Sequence, residues 1–78
     1  MNGIKIFYRD NTCGYIDFTV GSDTENFYRW ERATGKMRKL FGIGRSNYGK
    51  AIRGNERKKI EQYAAMAYHN NLPFVIFG

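Results

Sequence analysis

Residues 27–41 read FYRWERATGKMRKLF, and the way this stretch folds decides the architecture. Tyr28, Trp30 and Arg32 fall on one side of an alternating pattern, and Phe27, Arg29 and Glu31 on the other. A period of two, rich in aromatic residues, reads as a strand. Ala33-Thr34-Gly35-Lys36 then offers a hairpin turn, with Gly35 free to take a positive φ. Met37 to Phe41 reads as the return strand. Two strands joined this tightly are antiparallel.

Working outward from the hairpin, the same period recurs upstream. Ile4, Ile6 and Tyr8 alternate with Lys5, Phe7 and Arg9, and Ile16, Phe18 and Val20 alternate with Tyr15, Asp17 and Thr19. Asp10 to Gly14 between them is rich in turn formers, so the two runs form a second hairpin. Gly21 to Asn26 reads as a loop. Downstream, Gly42 to Gly54 holds four glycines and no clear period, which reads as a loop with room for one helical turn at 47–53. Asn55 is suited to cap a helix, with Glu56 in the first turn. From there to His69 the spacing is helical. Ile60, Tyr63, Ala64, Ala67 and Tyr68 share one face, and Lys58, Glu61, Gln62, Ala65 and His69 share the other. Asn70-Asn71 can end the helix in a left-handed conformation, and Pro73 prevents its continuation. Phe74 to Phe77 reads as a last strand at a sheet edge. The whole is a single α+β domain over 1–78: a small antiparallel sheet, ββββαβ, with one C-terminal helix packed on one face.

Composition narrows the chemistry. A chain of 78 residues buries only about 60% of its unfolded surface, so its stability is modest unless it binds something or forms a homodimer. The six Phe, six Tyr and one Trp are more than a single small core hides easily. Cys13 is the lone cysteine, which excludes an internal disulfide and suits a reducing, cytoplasmic setting. The opening MNGIKIFYRD is too polar for a secretory signal, and no apolar run reaches membrane-spanning length. His69, also alone, suits the negative end of the helix dipole and lacks the neighbours a metal site needs. No acid–base pair or nucleophile–base spacing points to an enzyme, and no cofactor is implied.

The charge is localised. The chain carries +6 overall, with a pI near 9.7. Nine of its thirteen basic residues, Lys36, Arg38, Lys39, Arg45, Lys50, Arg53, Arg57, Lys58 and Lys59, lie in one segment opposed only by Glu56. Such a surface suits an anionic partner. Within it, residues 44–50 fit the GxxxxGK spacing of a phosphate-binding loop, but Ala51 stands where a Ser or Thr would hold magnesium, and the chain is too short for the parallel sheet such loops require. Arg57, Lys58 and Lys59 are expected in the first turn of the helix, where the dipole disfavours cations and favours an anion. The aromatic and basic residues of 28–32 and 38–40 are interleaved as in nucleic-acid-binding sheets.

The run Phe27 to Lys36, followed by Leu40-Phe41-Gly42-Ile43-Gly44-Arg45 and a basic amphipathic helix, resembles the arm-site DNA-binding domain of phage lambda-type integrases. Arg32, Thr34, Gly35, Lys36, Gly42, Gly44 and Arg45 fit its pattern. Ala64 to Tyr68 is similar to the helix of the related Apetala-type plant domains. The loop at 21–26, the glycine-rich stretch and the strand after Pro73 depart from it. The resemblance, over roughly residues 4–69, implies a three-stranded sheet laid in the DNA major groove and backed by a helix.

The expectation is therefore a non-catalytic nucleic-acid-binding module, for duplex DNA ahead of RNA. Tyr28, Trp30, Arg32, Lys36, Arg38, Lys39, Arg45, Lys50, Arg53, Arg57 and Lys58 are its candidate contacts. The alternative is a small phage-type inhibitor or adaptor that binds an acidic protein surface. No membrane role is expected.

Overall fold

The computed structural model describes residues 3–40 and 52–77. Strands β1 (Gly3–Asp10), β2 (Tyr15–Val20), β3 (Tyr28–Glu31) and β4 (Lys36–Lys39) are followed by helix α1 (Gly54–His69) and strand β5 (Phe74–Ile76). All pairings are antiparallel, and the order across the sheet is β4-β3-β2-β1-β5. The chain thus forms the expected α+β, ββββαβ architecture. The helical turn expected at 47–53 falls mostly outside the described residues.

One face of the sheet carries the helix. Ile4, Ile16, Phe18, Tyr28, Trp30, Met37 and Val75 point toward it and meet Ile60, Ala64 and Ala67. The two alanines let the helix lie close to the sheet. Tyr63 and Tyr68 flank this seam, with Tyr63 stacked on Phe77 at 4.4 Å and Tyr68 against Trp30 at 5.4 Å. The five residues read as one helical face from spacing alone therefore all pack against the sheet.

Two details correct the sequence reading. The helix begins at Gly54, one residue before the expected cap. Arg53 holds the N-cap position in an extended conformation, and no side chain caps the turn. The second correction concerns β1. Its register against β2 runs Ile4–Val20, Lys5–Thr19, Ile6–Phe18 and then jumps to Tyr8–Asp17, Arg9–Ile16, so Phe7 is the extra residue of a β-bulge. A bulge reverses the faces of everything beyond it. Tyr8 consequently lies on the open face, and Arg9 points to the helix side.

The reversal gives Arg9 a structural task. Its guanidinium donates to the carbonyls of Tyr68 (3.1 Å), Ala67 (3.2 Å) and Leu72 (2.6 Å), at the end of α1 and just beyond it. The last carbonyls of a helix lack partners within it, and the dipole favours a cation there. Sequence reasoning assigned that place to His69, which instead lies edge-on to Trp30 at 6.0 Å. Asn70 supplies a further bond from Nδ2 to the Met66 carbonyl, and Asn71 takes a left-handed φ of 58°.

Candidate nucleic-acid interface

The β3–β4 hairpin, its open face and the flank of α1 beside β4 bring most of the described candidate residues together. On β4, Met37 points into the core, so its neighbours Lys36 and Arg38 project from the open face. Both are exposed, as is Arg32 in the turn between the strands. The guanidinium of Arg32 lies over Gly14, where an added Cβ would meet it at 3.2 Å. Lys39, on the helix side of β4, is half-buried, and its charge is among those that hold the Asp23 carboxyl below its ordinary range.

Helix α1 brings further cations to the same strand. Its residue Arg57 donates from Nη2 to the Met37 carbonyl, and from Nε to Glu61 at 3.2 Å. Glu61 in turn accepts the Met37 N–H at 2.9 Å. This fixes the Arg57–Glu61 side of α1 against β4. At about 100° per residue, Lys58 is next outward from Arg57, and Arg53 lies one turn before it. Both are exposed. Arg32, Lys36, Arg38, Arg53 and Lys58 thus border the β4 side of the molecule, and none makes an ion pair among the described residues.

The open face adds aromatic surface. Phe7 and Phe27 meet edge-on at 4.8 Å, and Tyr8 and Tyr15 lie 5.8 Å apart. Arg29 stacks over Tyr15 at 3.9 Å while binding both oxygens of the buried Asp17, at 2.8 and 3.1 Å. The Asp17 hydrogen bond, ahead of every other influence, raises the Arg29 pKa. Burial, with Tyr8 next in size, raises that of Tyr15.

Three candidate contacts need correction. Tyr28 and Trp30 are 4% and 2% exposed, on the helix-facing side of β3, because alternation places them with Met37, Ile16 and Phe18. They build the core, and the aromatic side chains available at the surface are Phe7 and Tyr8. Arg57 is committed to Glu61 and the Met37 carbonyl. The unfavourable first-turn placement expected of Arg57, Lys58 and Lys59 is also relieved. The helix starts earlier, so they fall in its second turn, and Lys59 lies over the Phe77 ring at 5.6 Å. Arg45, Lys50 and the GxxxxGK spacing lie outside the described residues.

Sequence reasoning left Phe7, Tyr8, Tyr15, Phe27 and Arg29 out of the site. For Arg29 the signal was present, since it alternates with Trp30; for Tyr8 the bulge concealed it. Among the described residues, no group of three His, Cys, Asp or Glu side chains could hold a metal ion, and no helix is long and apolar enough to cross a membrane. Cys13 is an exposed free thiol in the β1–β2 turn. Compared with known proteins, the chain matches no family model, no curated protein and no solved structure.

Proposed function

We propose that this protein is a non-catalytic nucleic-acid-binding module that holds phosphates along the β4 side of its sheet, with duplex DNA as the ligand. The observation that carries this reading is the set of five exposed cations, Arg32, Lys36, Arg38, Arg53 and Lys58, that make no ion pair among the described residues and lie around one strand. Arg29 and Arg57, close to them, are already held by carboxylates. A surface kept only for solubility needs no such concentration, whereas a polyanion gains from each unpaired cation it meets. The resemblance of the hairpin to integrase arm-site domains supports the same side of the sheet. Phosphate contacts of this kind position the ligand and read no sequence.

The test is a titration of labelled duplex DNA at rising salt. Five phosphate contacts correspond to a log–log slope of about −4 to −5. Binding at low salt with that slope supports the reading. A flat salt response, or no binding at low salt, ends it and leaves an acidic protein surface as the better partner.

A further inference from the structure

The two edges of the sheet are finished differently. In β3–β4 the Leu40 N–H donates to the Phe27 carbonyl at 2.7 Å. Bonded pairs then recur every second residue, at 29–38 and 31–36, which turns the main-chain groups of Met37 and Lys39 outward. Met37 is closed off there by Glu61 and Arg57. On the opposite edge the Ile6 N–H donates to the Pro73 carbonyl at 3.0 Å, so Ile4–Val75 is the next bonded pair. Phe74 and Ile76 must then point their N–H and C=O groups away from β1. No described residue meets those groups.

The side chains agree with the backbone. Phe74 and Ile76, 54% and 61% exposed, are the two most exposed large apolar residues among those described. A depression of about 450 Å³ is bordered by Gly3, Gly21, Phe74 and Ile76, and neither glycine carries a side chain to fill it. Edge strands left bare in this way invite another strand.

We infer that β5 pairs with β5 of a second copy of this chain, antiparallel about Val75, to make a ten-stranded sheet across a two-fold axis. The register favours a copy of itself. With Val75 facing its own counterpart, Phe74 of each chain lies opposite Ile76 of the other, and the outward groups of both residues form two bonded pairs. Each Phe74 ring then sits beside the partner's Ile76, next to the glycine-bordered depression. The closed β4 edge favours it as well. Head-to-tail pairing of β5 with β4 would build an open chain or a ring and would have to displace the Arg57–Glu61 contact at Met37, which favours the closed, two-fold arrangement.

Sedimentation equilibrium over a wide concentration range tests this on the full chain, together with Ile76→Pro and Ile76→Lys. The proline removes an outward N–H that β1 does not use. The lysine places charge at an exposed position and leaves the backbone intact. A wild-type dimer weakened at least about tenfold in both variants, with unchanged circular dichroism, is the expected result. Hydrogen exchange supplies the second readout: the Phe74 and Ile76 amides gain protection as the dimer forms. A monomer up to about 0.5 mM overturns the inference. So does a dimer indifferent to both variants, or one in which these two amides stay unprotected.

Discussion

Arg29 and Asp17 show how one pair links the core to the open face. Asp17 is buried and accepts both bonds from a guanidinium that covers it. Arg29→Ala would leave the carboxylate buried without its partner. Breaking a fully buried pair costs about 3–5 kcal/mol, and the partial exposure of Arg29 lowers this to about 2 kcal/mol. Urea unfolding of the variant measures it, and a loss below about 0.5 kcal/mol would show that water replaces the guanidinium freely. Asp23 contributes to the acid limb of stability. Its carboxylate accepts Asn26 Nδ2 at 2.7 Å and the Glu25 and Asn26 N–H groups at 2.9 and 3.1 Å. The Asn26 side chain leads the causes that hold its pKa below the ordinary range. Because the folded value is depressed, the contribution is complete above the unfolded pKa of about 4 and is lost as pH falls through the folded value. Thermal melts from pH 7 to 2 should fall chiefly below pH 4, and Asp23→Asn should flatten that limb while lowering the melting temperature at pH 7. An unchanged acid limb in the variant would assign the loss to other groups, such as Asp10, whose pKa the Cys13 N–H lowers.

At the scale of elements, the clamp between α1 and β4 allows folding and the proposed DNA binding to be tested apart. Glu61→Ala strands the Met37 N–H and frees Arg57, and should cost about 1–3 kcal/mol, with faster hydrogen exchange at the Met37 amide. Lys36→Glu with Arg38→Glu should leave the melting temperature within a few degrees, because both side chains are exposed, and should reduce DNA affinity by about tenfold or more. If the two variants behave alike in both measurements, folding and binding share the same residues after all. The elements themselves were legible in the sequence wherever burial is one-sided. Strand β3 buries every second residue, β2 sends its apolar alternates Ile16 and Phe18 to the helix side although Asp17 between them is also buried, β4 sends Met37 there, and α1 buries Ile60, Ala64 and Ala67, so period alone found their faces. The end of β1 was not legible, because Tyr8 continues the apolar alternation although Phe7 is extra. Nor was the role of Arg57. Helical spacing places it beside the buried stripe, but only the tertiary arrangement shows that β4 lies within its reach. The alternation puts Tyr28 and Trp30 on one face, and for Trp30 taken alone it already leans toward the core; the interleaved cations suggested a surface that the shared face with Met37 denies to both.

For the whole molecule, the asymmetry of charge matters more than its total. Five exposed cations border β4, while β5 at the far edge carries the exposed apolar side chains of Phe74 and Ile76, with Lys5 beside Phe74 and Lys59 over Phe77. A ligand at one edge and a second copy at the other would not compete. Adding duplex DNA should therefore leave the self-association constant unchanged within about twofold at fixed salt. Sedimentation with and without a short duplex measures this, and mutual exclusion of DNA and self-association would place both events on one surface.

The bulge at Phe7 has a consequence for insertions and deletions. Elsewhere in β1, losing a single codon inverts the inside and outside of every residue on one side of the loss. At Phe7 the opposite holds. Without it, Ile6 and Tyr8 become neighbours on opposite faces, and Ile4, Ile6 and Arg9 still turn toward the helix, with Lys5, Tyr8 and Asp10 turned away. The ladder against β2 then runs without a break. Phe7 is thus the residue that a shortened version of this gene could omit while keeping the remaining face assignments of β1, at the loss of one exposed ring and its contact with Phe27.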